Sequence, residues 1–121
     1  MVLKYFTDDE LRCKCPCGQM LMKDDFMEKV IELREQAGFP FVVASAYRCP
    51  EHNDKVSKTG LDGPHTTGRA IDIRVNGQKA HKFLSLAYKS DNFLGVGVSQ
   101  KGRRDMRFIH IDDLAERVWS Y

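Results

Sequence analysis

Apolar residues recur along this chain with two different periods, and the switches between them predict its elements. Over 24–38, "DDFMEKVIELREQAG", Phe26, Val30, Leu33 and Ala37 fall on one helical face, with Met27 and Ile31 beside them. Asp25 and Glu28 have the spacing of a capping box, and Gly38 followed by Pro40 supplies a stop. A second helical period covers 78–90, "QKAHKFLSLAYKS", with Ala80, Phe83, Leu84 and Ala87 turned inward. Runs rich in β-branched and aromatic residues predict strands at 41–46, 69–75, 94–99 and 107–112. The segment 49–68 holds Pro50, Gly60, Gly63, Pro64 and Gly68, and reads as a long loop with one helical turn. A loop of that length inside a compact domain is more often functional than idle. This order makes no regular βαβ units. The expected fold class is therefore α+β, with helices packed on a central, largely antiparallel sheet.

Two of the predicted strands carry side chains that do not belong in a core. In "GPHTTGRAIDIRV", 63–75, alternation puts Ala70, Asp72 and Arg74 on one face and Ile71, Ile73 and Val75 on the other. In 107–112, Phe108, His110 and Asp112 share a face opposite Ile109 and Ile111. A carboxylate between two isoleucines is costly to bury unless something compensates its lost hydration. His65 lies in the glycine-punctuated turn just before the first of these strands. His65, Asp72 and His110 together make a three-ligand set for zinc with a fourth position open, and the ion's charge would offset the burial of Asp72. Taken residue by residue, the same positions also fit a loop histidine, a hydrogen-bonded aspartate and a half-buried structural histidine.

Bulk properties narrow the classes. At 121 residues the chain is expected to form one domain, 1–121, and the net charge of +2 is too mild to argue for nucleic acid. No apolar run reaches the length of a membrane span, and "MVLKYFTDDEL" lacks a basic segment followed by an apolar one. The expectation is a monomer made in the cytoplasm without a signal peptide. Four cysteines are present, three of them in "CKCPCG". The C-x-C-x-C spacing matches the usual C-x2-C zinc knuckle poorly, which favours reduced thiols or one loop staple to Cys49. A second, structural zinc at Cys13, Cys15, Cys17 and Cys49 is the less favoured alternative.

The runs "SAYRCPEHN", "HTTGRAIDI" and "FIHIDD" resemble the zinc D-alanyl-D-alanine carboxypeptidase and endopeptidase family, which shares its fold with the Hedgehog signalling domain. The family pattern S-x-H-x-x-G-x-A-x-D, followed by a strand histidine, is met by His65, Gly68, Ala70, Asp72 and His110, with Gly63 in place of the serine. The resemblance covers roughly 40–112 and includes small phage lytic peptidases with a Cys-rich opening segment. It implies a zinc peptidase acting on peptidoglycan peptides, on the cell wall after release by a membrane-permeabilising partner. It also implies roles. Zinc is held by His65, Asp72 and His110. Arg48 steadies the oxyanion or grips a substrate carboxylate, and Arg74 is a weaker carboxylate-binding candidate. Asp105 is the expected general base, with Asp112 as its competitor, although Asp112 better suits orienting a ligand histidine. A non-catalytic zinc module of the same fold is the alternative.

Overall fold

The computed structural model describes residues 3–121. Its elements run α1 (Asp8–Leu11), α2 (Asp24–Ala37), β1 (Val42–Ser45), α3 (Pro50–Val56), β2 (Ala70–Arg74), α4 (Gly77–Ser90), β3 (Gly95–Ser99), β4 (Phe108–Asp112) and β5 (Arg117–Ser120). Short 3-10 turns fall at Gly60–Asp62, Pro64–Thr67 and Arg104–Met106. The five strands form one sheet in the order β1-β2-β4-β3-β5, antiparallel except for the β3–β5 pair. The fold is α+β, as the sequence pattern predicts.

One face of the sheet carries Ile71, Ile73, Ile109, Ile111 and Val96, all buried with Phe26, Met27, Val30 and Leu33 of α2 and Ala80, Phe83 and Ala87 of α4. Phe41 and Phe83 pack with ring centroids 5.1 Å apart, and Phe93 meets Phe26 edge-on at 6.1 Å. Burying each isoleucine is worth about 2 kcal/mol, so a one-residue slip of β2 would exchange two isoleucines for Asp72 in that core, and a slip of β4 two more for His110 and Asp112. The apolar face thus locks the register that the polar face depends on.

Two features depart from the sequence expectations, and the C-terminal tail adds a strand beyond them. The capping box at Asp25 and Glu28 does not form: Lys23 is the N-cap residue of α2, without a side-chain bond. Asp25 instead accepts from Arg69 Nη2 on both carboxylate oxygens, at 2.9 and 2.8 Å. A complete capping box sits on α1, between Thr7 and Glu10. The segment 49–68 is more ordered than a loop with one turn, because Pro50 opens α3 directly after Cys49 and two 3-10 turns follow. The tail "RVWSY" adds β5 to the sheet. Among the described residues no helix is long and apolar enough to cross a membrane.

Candidate metal centre

The sheet register builds the site as a row. Ser45, Asp72, His110, Gly97 and Trp119 are successive partners across β1, β2, β4, β3 and β5. All lie on the face turned away from α2 and α4. The next row holds Ala70, Asp112, Gly95 and Arg117. His65 joins from the 3-10 turn Pro64–Thr67, where the left-handed Gly68 (φ 76°) ends the turn and leads into β2.

Both histidines are held with one ring nitrogen committed and the other aimed at the same oxygen. His65 Nδ1 lies 2.6 Å from the Ala46 carbonyl, which can only accept, so Nδ1 carries the proton. Its Nε2 is left facing Asp72 Oδ1 at 3.2 Å. His110 Nε2 lies 2.7 Å from Asp112 Oδ2 and donates to it, and its Nδ1 faces Asp72 Oδ1 at 2.9 Å. A carboxylate or carbonyl behind each ring is the arrangement that fixes the tautomer of a metal-ligating histidine. The donor atoms of His65, Asp72 and His110 all lie within 4.8 Å of one another, and all three residues are buried. Two imidazoles and one carboxylate are a donor set suited to zinc, so these residues fit the ion.

The electrostatics follow from this crowding. Burial pushes the Asp72 carboxyl up, but the adjacent His65 and the hydrogen bonds from His110 outweigh it and hold it well below the usual carboxylate range. Burial alone would depress His110, yet its bonds to Asp112 and Asp72 raise it above its ordinary value. Asp112 is lowered because the bonds from His110 and the Leu114 backbone exceed its desolvation cost. A proton or a cation beside Asp72 Oδ1 is what this pair of carboxylates demands.

Arg48 is brought to the site. Its Nε donates to Ser45 Oγ at 3.0 Å, its Nη1 to Asn53 Oδ1 at 3.1 Å, and its Nη2 lies 3.8 Å from Asp72 Oδ2. Asn53, fully buried on α3, also donates to Thr59 Oγ1 and the Gly60 carbonyl at 2.8 and 2.6 Å. Its neighbour His52 is no part of the triad. Asn53 is a positioning residue that the sequence signals only through its place in "PEHN". It also accounts for Gly63: a Cβ there would collide with Thr59 Oγ1 and come 2.6 Å from Asn53 Nδ2, so a serine does not fit beside this network.

Arg74 and Asp105 are not brought to the site. Arg74 reaches Met106 Sδ at 3.3 Å and lines a separate hollow with Phe39, Val42 and Arg104. It shares a sheet face with Asp72, but sits at the far end of β2, opposite Phe108. Asp105 lies in the exposed turn Arg104–Met106 and accepts from Arg103 Nε and Nη2, at 3.1 and 2.7 Å. Five residues ahead of His110, it precedes the start of β4 and does not line the cavity over the row. Asp112 is placed against His110 and is fully buried there.

A cavity of about 480 Å³ opens over the row, lined by Arg48, His65, Asp72, His110, Phe108, Arg117, Trp119 and Tyr121. Trp119 packs on His110 with centroids 5.0 Å apart, and the Arg117 guanidinium covers the other part of the indole at 4.7 Å. Glycine is required beneath them: a Cβ at Gly97 would meet Trp119, and one at Gly95 would meet the Asp112 carboxylate. The paired glycines of "LGVGVS" therefore make room for the two residues that brace His110. The aromatic wall was not legible in the sequence, where "RVWSY" gave no sign of which strand it would join.

The four cysteines form a second cluster. All four are free thiols, the first of the two favoured readings, and their Sγ atoms all lie within 4.8 Å of one another.

A family model described as Peptidase M15 matches residues 4–112, which includes the Cys-rich segment as well as every residue of the triad. No curated protein and no solved structure matches the chain.

Proposed function

The chain belongs to the peptidase M15 family, and from that premise we propose that it hydrolyses peptide bonds of bacterial peptidoglycan, using zinc held by His65, Asp72 and His110. The observation that carries this reading is the convergence of His65 Nε2 and His110 Nδ1 on one oxygen of Asp72, with both tautomers fixed from behind. Zinc, when bound, supplies Lewis acidity that polarises a peptide carbonyl and draws the pKa of water toward neutrality.

The remaining work falls to the side chains around it. Asp112 keeps the His110 proton on Nε2, and the Ala46 carbonyl does the same at His65 Nδ1. Arg48, braced at two nitrogens by Ser45 and Asn53, presents a fixed positive charge beside Asp72. That charge suits either the oxygen that becomes negative as the carbonyl is attacked or a terminal carboxylate of the substrate. Burial, and then the charge of Asp72, raise the Tyr121 pKa, so its hydroxyl stays protonated and offers a donor at the cavity. Trp119 and Phe108 give the same cavity an apolar wall against which a peptide stem can shed water. A carboxypeptidase cut would place the terminal carboxylate at Arg48, and an endopeptidase cut would place the chain across the aromatic wall. The reading carries with it a site of action on the cell wall, reached from the cytoplasm with a membrane-permeabilising partner.

A second reading is favoured by one observation. Neither Asp105 nor Asp112 lines the cavity, and among the described residues the one acidic side chain lining it is Asp72, already engaged by both histidines. A zinc module that binds cell-wall peptide without cutting it would need no general base. Digestion of purified peptidoglycan followed by mass spectrometry of the soluble fraction separates the two. The peptidase reading expects released D-alanine or stem-peptide fragments, lost in His65→Ala together with the metal. Protein that sediments with the wall and releases nothing supports the binding module instead.

A further inference from the structure

We propose that Cys13, Cys15, Cys17 and Cys49 hold a second zinc ion, one that clamps the N-terminal segment to the start of α3 and thereby positions Arg48. The inference is independent of the peptidase reading. Cys13 and Cys15 are 3.5 Å apart at sulfur, and Cys15 and Cys49 are 3.6 Å apart. A disulfide needs about 2.05 Å. A tetrahedron with zinc–sulfur arms of about 2.3 Å has edges of about 3.8 Å, so the thiols stand at the spacing of a shared ion rather than of a bonded pair.

The backbone is arranged for thiolates. Cys49 N–H points at Cys13 Sγ at 3.3 Å, Cys17 N–H at Cys15 Sγ at 3.4 Å, and Gln19 N–H at Cys17 Sγ at 3.5 Å. A thiol is a weak acceptor, whereas a thiolate draws such donors strongly. The poor match of C-x-C-x-C to a knuckle is resolved by the chain path. A turn closes between Cys15 and Gly18 (Gly18 N–H to Cys15 carbonyl, 3.1 Å; φ 58° at Gly18), which curls three thiols that an extended strand would spread in a line around one point. The fourth comes from 34 residues beyond Cys15.

What the ion joins gives it a role. Cys49 is the N-cap residue of α3, next in sequence to Arg48 and on the same turn as Asn53, whose N–H bonds the Cys49 carbonyl at 2.9 Å. Tyr47 N–H bonds the Leu11 carbonyl at 3.1 Å, so the Cys-rich segment flanks the Arg48 backbone on one side while His65 holds it on the other at 3.2 Å. Without the ion, no disulfide or salt bridge among the described residues ties the Cys-rich segment to the start of α3.

Elemental analysis of the full chain, purified reduced and zinc-loaded, reads this directly. The wild type is expected to carry two equivalents of zinc, and the double variant His65→Ala/His110→Ala one. With cobalt in place of zinc, that double variant is expected to show a thiolate-to-cobalt charge-transfer band. Iodoacetamide should alkylate the wild-type cysteines slowly until a chelator is added. Cys17→Ser, at an exposed position, should lower the count by one while leaving the triad's ion in place. A double variant with no metal and no thiolate band, thiols alkylated equally fast with and without chelator, or an intact mass two hydrogens low would each overturn the proposal. Failure of the peptidase reading would leave the double variant's single equivalent untouched.

Discussion

Asp72 and His110 are direct partners across the β2–β4 ladder, and Asp72 Oδ1 lies 2.9 Å from His110 Nδ1. Their facing positions follow from the isoleucines on either side of each, which bury the opposite face and leave these two no other register. Two side chains that could hold one metal ion have been placed by packing on the far side of the sheet.

Asp112 should act on zinc through His110. Asp112→Ala frees His110 Nε2 to take or lose its proton, and zinc affinity should fall roughly 10–100-fold. Competition with a chromophoric chelator measures this. An unchanged affinity would mean that the 2.7 Å bond does not hold the tautomer.

Asp105 is an exposed partner of Arg103, and Asp105→Ala should keep both metal and activity within about twofold, as for a surface substitution worth less than about 0.5 kcal/mol. Peptidoglycan turnover with intact zinc content is the measurement. Loss of activity with zinc retained would restore Asp105 as the base that the sequence suggested.

Arg48→Lys keeps the charge but cannot bond Ser45 and Asn53 at once. If Arg48 stabilises developing negative charge, turnover should drop about 100-fold with zinc bound as in the wild type. If it grips a substrate carboxylate, the loss should appear in KM.

Gly97→Ala would bring a methyl group within 2.6 Å of Trp119 Cε2 and Nε1, forcing the indole off His110. The cost should be about 1–3 kcal/mol. Trp119 is the chain's single tryptophan, so its fluorescence reports the displacement without interference, alongside the fall in Tm.

Stability of the metal-free protein should depend on pH in two directions. His110 is raised from its ordinary 6.5, so its contribution is complete below that value and is lost as pH rises through the higher folded value. Asp72 and Asp112 are lowered from 3.8, so theirs is present above that value and is lost as pH falls through the lower folded ones. The metal-free Tm should therefore be highest between about 4 and 6.5. With zinc the upper side should invert, because metal and proton compete for His110 Nδ1 and rising pH favours the metal. Calorimetry with and without chelator tests the sign.

The elements with long apolar periods were legible in the sequence. The face of α2 through Phe26, Val30, Leu33 and Ala37 is buried as the 3.6-residue spacing requires. Four of the strands lie within their expected spans, since runs rich in β-branched and aromatic residues, with isoleucines alternating in β2 and β4, suit a half-buried sheet. The nearness of His65, Asp72 and His110 was legible because two of them sit on strands whose faces alternation assigns, and the family was legible through the motifs "SAYRCPEHN", "HTTGRAIDI" and "FIHIDD" that resemble it. The surroundings of Asp105 were not legible: it lies in the turn Arg104–Met106, where Arg103 occupies its carboxylate, because nearness along the chain to His110 does not fix nearness in space.

The amino-acid sequence by itself determined the α+β class and which side chains of β2 and β4 share the polar face, because apolar burial is a local pattern that admits few arrangements. Only the tertiary structure decided what braces that set: Asn53 behind Arg48, Asp112 behind His110, Trp119 over Gly97 and four sulfurs around one point. Those contacts join segments tens of residues apart through single hydrogen bonds and close approaches, and no periodicity along a chain encodes which distant turn will supply the partner.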